Sequence, residues 1–252
     1  SLNRRGIAAK RSSIFMCGIC GIVDINNSPP IGSDELNAMC KTLEHRGPDG
    51  TRTMIRESIA FGHTRLSVID TETGWQPIAN EDETIFVITN GEIYNYRELR
   101  LTLEEQGHRF ATNTDTEVIL HQYEQEGARC LHKFNGMFAF AIYDEIKQTL
   151  FLARDRLGIK PLYYYQDGTT LEFASEIKAI LATGLISKDI NEHALWDYLT
   201  FRYIPEPQTI WQKIYKLPPG HTLTLSSLHP KPVVKRYWDI HYEDKIIPKS
   251  ES

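Results

Sequence analysis

Four short apolar runs follow one another in this chain: Met137–Tyr143, Leu150–Arg154, Leu162–Tyr165 and Leu171–Ala174. They read as consecutive strands in meander order, and this order constrains the fold more than any other feature. Cys17–Asp24 (CGICGIVD), β-branched and small, reads as a further buried strand. Strand patterns recur near 53–61 and 63–70, and Thr84–Thr89 alternates and runs into Asn90-Gly91. Ser33 is placed to cap a helix to about Glu44. Asn95–Gln106, with Leu99 and Leu103 four apart, reads as an amphipathic helix stopped by Gly107. Asp115 is placed to cap the next helix, through about Gln125, and further helices are predicted over 176–183 and 191–199. The tail from Thr209 to Ile240 is strand-like around a Pro218-Pro219-Gly220 turn. Meandering strands with helices in pairs favour an α+β layered domain over a doubly wound parallel sheet.

At 252 residues the chain is one large domain or two small ones. It is 41% hydrophobic and 24% charged, a globular composition. A net charge of −5 disfavours a general nucleic-acid binder. The longest apolar stretch, Phe138–Tyr143, is too short to span a membrane. Four cysteines are not a disulfide scaffold, and no secretory signal is visible, so a reducing compartment, the cytoplasm, is expected. Cys17 and Cys20 form a C-x-x-C, either a redox pair or half a zinc site. The second pair a zinc site needs is missing, so no metal is expected. Residues 1–15 carry Arg4, Arg5, Lys10 and Arg11 and no acid. That segment reads as a leader, a tag or a start assigned too early, with the domain proper over 16–240.

Several residues have two readings from the sequence. Cys17 is a small buried residue or a nucleophile. It follows Met16 directly, so methionine removal would make it terminal, and its own α-amine could then serve as base for its thiol. Asn90-Gly91 is a type I′ hairpin turn or an oxyanion hole. Arg65, inside an apolar pattern, is a solvated edge residue or a carboxylate clamp, and Arg46 in HRGPDG has the same two readings. Asp115 and Glu92 could each bind an ammonium group. Arg154, Asp155, Arg156 and Lys160 read as a solvated or salt-bridged loop. Tyr163–Tyr165 packs in the core or faces another domain, with the core favoured.

Taken in order, M-C-G-I-C-G, HRGPDG, H-T-R-L-S-V-I-D, NGEIYNYRELR, GMFAFAIYD, RDRLGIKPLYY, ASEIKAI and LPPGH resemble class II glutamine amidotransferases of the asparagine synthetase type. The similarity runs from Met16 to about Trp238. It implies the N-terminal-nucleophile fold, a four-layer αββα sandwich with two antiparallel sheets between helical layers. By motif it implies Cys17 as nucleophile and Asn90 and Gly91 as oxyanion hole. It implies Arg65 as the binder of the glutamine α-carboxylate, and Glu92 and Asp115 as binders of the α-amino group. Val68 falls in the segment whose backbone lines the glutamine pocket, and Arg46 and Asp49 fall in a loop that shapes the site.

The resemblance implies hydrolysis of the L-glutamine side-chain amide through a cysteinyl thioester, with the ammonia passed to a synthetase domain in cis or in trans. A homodimer is compatible with it. Two departures stand out. Cys17 is internal as written, so its nitrogen is an amide and not a base. The pyrophosphate-binding S-G-G-x-D-S loop of the synthetase half has no match, so ATP and magnesium are expected only on that absent half and no cofactor on this domain. The competing class is a non-catalytic module that binds glutamine or a partner, with Cys17 masked by the leader.

Overall fold

The computed structural model describes residues 16–24, 31–67, 70, 73–168 and 170–240. In chain order the elements are β1 (Gly18–Asp24), α1 (Ser33–Leu43), β2 (Gly50–Ile55), β3 (Ile59–Arg65), β4 (Ile78–Ala79) and β5 (Ile85–Ile93). Then come α2 (Tyr96–Glu105), α3 (Asp115–Glu126), a 3-10 helix (Gly127–His132), β6 (Gly136–Asp144), β7 (Thr149–Arg154), β8 (Tyr163–Asp167) and β9 (Thr170–Ala174). The chain finishes with α4 (Ile177–Ala182), α5 (Glu192–Phe201), β10 (Ile214–Lys216), β11 (His221–Ser226) and β12 (His229–Arg236).

The strands form two six-stranded sheets, ordered β10-β8-β9-β1-β3-β2 and β12-β11-β7-β6-β5-β4. Every strand pairing is antiparallel. Three apolar layers hold the stack. Ile19, Val23, Phe61, Phe86, Ile88, Ala139, Leu152 and Phe173 pack between the sheets. Cys20, Ile22, Leu36, Met39 and Ile180 pack the first sheet against α1 and α4. Val87, Ile119, Phe134, Phe140 and Phe151 pack the second sheet against α3 and the 3-10 helix. The architecture is therefore an αββα sandwich. A central strand is buried on both faces, and period-2 alternation sends its odd and even residues into different cores. Each fully buried aliphatic or aromatic side chain contributes about 1.5–3 kcal/mol.

This alternation resolves the C-x-x-C. Cys20 lies under α1 with its Sγ 3.7 Å from that of Cys40. Cys17 precedes β1 and shares the parity of Ile19 and Val23, which face the other sheet. The two thiols thus lie on opposite faces and form neither a redox pair nor half a metal site.

Several expected boundaries move. β3 covers 59–65 where strands over 53–61 and 63–70 were expected, because Arg56 N–H donates to Ile59 O and closes a hairpin there. Gly32, not Ser33, is the cap residue of α1. Thr114 caps α3 by accepting from Glu117 N–H, leaving Asp115 in the first turn with its side chain turned elsewhere. Tyr164 and Tyr165 join the cores, and Tyr164 also packs on Tyr215 with ring centroids 5.5 Å apart.

Candidate active site

One end of the inter-sheet face collects the chemistry. In β3, His63 and Arg65 share the parity of Ile59 and Phe61. In β5, Asn90 and Glu92 share that of Phe86 and Ile88. Cys17 arrives beside them from β1. A pocket there is lined by Cys17, His63, Arg65, Gln76, Glu92 and Asp115, with the Gly91 backbone at its wall. A cavity next to it shares Cys17, Gly91 and Glu92 and adds Asn90 and Lys160.

The Cys17 thiol is held by the chain after β3: Leu66 N–H lies 3.4 Å from Sγ, and Leu66 O lies 3.6 Å from it. Burial pushes this thiol above its ordinary pKa; the Leu66 contact, Arg65 and Lys160 pull it back. The Leu66–Ser67 segment is pinned from HRGPDG, where the Asp49 carboxylate accepts from Ser67 N–H at 2.7 Å. Arg46 is buried; its Nε donates to Cys17 O at 3.1 Å and its Nη1 to Glu176 at 2.9 Å. Gly47 makes this docking possible, since a Cβ there would sit 2.3 Å from the Thr64 carbonyl.

Asn90-Gly91 is not a turn. Both residues lie inside β5, opposite Ala139 and Phe138 of β6. A Cβ on Gly91 would fall 2.2 Å from Met137 O, so only glycine lets the strands approach there. Asn90 is buried and its side chain lines the cavity beside Cys17.

Arg65 is not a solvated edge residue. It is 3% exposed, packs its guanidinium 4.8 Å from the Trp75 ring centroid, and donates from Nη2 to Asp70 O. Its Nη1 has no hydrogen-bond partner among the described residues, and the same holds for Thr89 Oγ1 and both His63 ring nitrogens. Burial and the adjacent Arg65 cation lower the His63 pKa to about 3, so its ring is neutral. Orphaned buried donors are costly, and a cluster of them around one pocket marks a place for a ligand.

On the opposite wall, Asp115 Oδ2 accepts from Ile93 N–H at 2.7 Å, which ties the first turn of α3 to the end of β5. Burial raises its pKa despite that bond. Burial, with Asp115 alongside, pushes Glu92 up to about 7, opposed by Lys160. Val68 lies outside the described residues.

Of the RDRLGIK cluster, expected to be a solvated or salt-bridged loop, Arg154, Asp155 and Lys160 are buried, while Leu157 and Ile159 stay exposed; the ion pair from Arg154 to Glu206 fits the salt-bridged reading. Asp155 accepts from Leu157, Ile159 and Lys160 N–H at 3.1, 2.9 and 2.9 Å. Arg154 fills carbonyls of Gly158, Lys160 and Leu217 and reaches Glu206. The sequence reading passed over His63, Gln76, Thr89 and Lys160 as site residues. His63 was detectable from its period-2 offset to Arg65; Gln76 and Thr89 meet only through the tertiary bond from Thr89 N–H to Gln76 Oε1 at 2.5 Å.

Away from the pocket, Glu81, His108 and His121 bring potential ligand atoms within 4.8 Å of one another. A tetrahedral zinc shell needs them roughly 3.4 Å apart. His121 Nδ1 is already paired with Glu124 at 2.7 Å, so an ion-pair reading fits better.

Comparison with known proteins agrees with this geometry. The family model of the glutamine amidotransferase domain matches residues 16–238. Asparagine synthetase [glutamine-hydrolyzing] 3 of Bacillus subtilis is 39% identical over 231 residues, covering 90% of this chain and 37% of that protein. Asparagine synthetase [glutamine-hydrolyzing] 1 of the same organism is 40% identical over 212 residues, 82% of this chain and 33% of that protein. The chain thus spans about a third of these relatives. Among solved structures, glutamine phosphoribosylpyrophosphate amidotransferase from B. subtilis shares the fold, with TM-score 0.62 at 20% identity, over 88% of this chain and 49% of that one.

Proposed function

Because the chain belongs to the family of glutamine amidotransferase domains, we propose that it hydrolyses the side-chain amide of L-glutamine to glutamate and ammonia at Cys17. The observation that carries this reading is the pocket itself. It sets an Arg65 Nη1 that is unpaired among the described residues and the Glu92 and Asp115 carboxylates around one thiol. Free glutamine offers a carboxylate, an ammonium and an amide, and each meets its complement.

The chemistry follows from the residues. With Cys17 terminal, its α-amine takes the thiol proton and the thiolate attacks the side-chain amide carbon. The Asn90 side-chain amide and the Gly91 N–H donate to the tetrahedral oxyanion. Collapse expels ammonia, protonated through the amine, and leaves a glutamyl thioester. Water then attacks the thioester, releasing glutamate and restoring the thiol. Arg46 and Asp49 act indirectly, by fixing the Cys17 carbonyl and the Leu66–Ser67 segment.

In this proposal the ammonia passes to an ATP-dependent synthetase domain of the asparagine synthetase type, in cis or in trans. The chain's similarity to glutamine-hydrolysing asparagine synthetases supports that part. Cytoplasmic placement is part of the same reading. It is supported by four cysteines that are all free thiols, and no helix among the described residues is long and apolar enough to cross a membrane. The second reading, a glutamine- or partner-binding module, draws on Met16. Its N–H donates to Arg46 O at 3.1 Å, and its side chain lines the cavity beside the thiol.

The test is glutamate release by a protein begun at Met16, with Cys17 shown by intact mass to be terminal. Release is expected, and Cys17→Ala should abolish it, a loss of at least about 10³-fold. A folded protein with terminal Cys17 that binds glutamine and releases no glutamate would favour the binding module.

A further inference from the structure

Lys160 has no part in the chemistry above, yet it is 5% exposed and lines the cavity that holds Cys17, Asn90, Gly91 and Glu92. Burying an ammonium is expensive unless it is paired. The hydrogen bond given to Lys160 Nζ is with the thioether of Met16, at 3.0 Å, and sulfur is a weak acceptor. Methionine excision would remove that partner and uncover the Cys17 α-amine in the same place.

The position of Lys160 is built. Its N–H donates to Asp155 Oδ2 at 2.9 Å and its carbonyl accepts from Arg154 Nε at 2.8 Å. Both anchors use the backbone, so they fix where the side chain starts without depending on its charge. Asp155 also receives Phe138 N–H at 3.3 Å, which ties the loop to β6 at the cross-strand partner of Gly91.

We propose that Lys160 is a positioning residue of the Cys17 centre: its ammonium disfavours a second positive charge beside it and so holds the Cys17 α-amine in the neutral form that can take the thiol proton. The inference rests on the reading that Cys17 becomes terminal. The charged groups facing this centre come from every surrounding element. They are Arg65 from β3, Glu92 from β5, Asp115 from α3, Arg46 from the loop after α1, and Asp155 from the Lys160 loop. Arg46 is paired with the Glu176 carboxylate and the Cys17 carbonyl, whereas among the described residues Arg65 bonds only the neutral Asp70 carbonyl and the Trp75 face, so its charge acts on the same centre alongside that of Lys160. Burial and then Arg46 lower the Lys160 pKa from its ordinary value, opposed by Glu92, Cys17 and Asp155.

The experiment compares the protein with terminal Cys17 against Lys160→Met, Lys160→Gln and Lys160→Arg, each checked by thermal melting. Two profiles are recorded against pH: kcat for glutamate release at saturating glutamine, and the rate of iodoacetamide alkylation of Cys17 without substrate. The neutral variants should move the acid limb of kcat upward by about one pH unit, roughly a tenfold loss on that limb. The alkylation profile should move the same way, and Lys160→Arg should stay close to the parent. Folded neutral variants with an unmoved acid limb overturn the proposal. So does a change confined to the glutamine KM, which would assign Lys160 to Glu92 and the substrate, or an arginine variant as impaired as the methionine one. A parent that releases no glutamate defeats the glutaminase reading instead, and the alkylation profile still reports on Lys160.

Discussion

At the residue scale the site is a set of buried polar groups whose needs the fold leaves unmet. Arg65 is the clearest, with Nη2 bonded to Asp70 O and Nη1 unpaired among the described residues. Arg65→Ala is expected to raise the glutamine KM by about 30- to 100-fold, since a charge-assisted contact to a carboxylate contributes roughly 2–3 kcal/mol. Steady-state kinetics would show it, and an unchanged KM would remove Arg65 from the carboxylate role. Glu92 gives a pH dependence with a definite sign. Its carboxyl is pushed up to about 7, first by burial and then by Asp115, so it gains a proton as pH falls through 7. The substrate ammonium then loses an anionic partner, and KM for glutamine should climb roughly tenfold per unit below that point. Glu92→Gln should flatten this dependence. Arg65 was readable as a candidate because it lies in an apolar pattern, and Asn90 because it opens a turn-like dipeptide; Asp115, placed as a helix cap, and Glu92 were readable only as carboxylates that could bind an ammonium. The correct choice between their two readings was not readable, because burial and missing partners are tertiary facts. Lys160 was misread for the same reason: nothing in RDRLGIK says that Asp155 folds the loop inward.

At the element scale, α3 carries the Asp115 wall of the pocket and depends on an acid cage behind it. Glu117 accepts from Ala111 N–H, Thr112 N–H and the Thr112 hydroxyl at 2.7, 2.7 and 2.6 Å, so it holds the loop that leads into Thr114 and Asp115. His121, one turn on, sits 3.7 Å from Glu117 and 2.7 Å from Glu124. Burial pulls its pKa down, but the two carboxylates prevail and lift it to about 9. A histidine whose folded pKa exceeds its unfolded value of about 6.5 stabilises the fold fully below that pH and loses the contribution as pH rises towards 9. His121→Gln should therefore cost about 2 kcal/mol at pH 6 and much less at pH 9.5, measured by urea midpoints at the two pH values. An equal cost at both would mean that His121 serves by packing alone. The elements themselves were largely legible, since the apolar runs of β1, β5, β6, β7 and β9 declare themselves by composition. The caps were not. Asp115 is the better N-cap residue by type, yet its carboxylate is taken by Ile93 N–H and Thr114 caps the helix instead.

At the scale of the whole molecule, three apolar layers hold two sheets and their helices in register, and the polar groups that line the pocket gather at one end of the middle layer. A chain retaining residues 1–16, verified by intact mass, should release no glutamate, because the Cys17 nitrogen is then an amide. Release that depends on Cys17 in that chain would show that a different base serves the thiol. Neither the stacking of the sheets nor their order could be read from periodicity, because both rest on pairings between residues far apart, such as Gly18 with Thr64 and Cys20 with Ala174. The shared parity of Cys17, His63, Arg65, Asn90 and Glu92 also limits how such a chain can change length. One residue inserted between Cys17 and the body of β1, or in β3 or β5 ahead of the site, turns the pocket side chain into the wrong core, and two restore the face but slide it about 6.6 Å along the sheet. Length variation is therefore confined to the connections between strands, and the three strands that bear the site can vary in sequence but not in count.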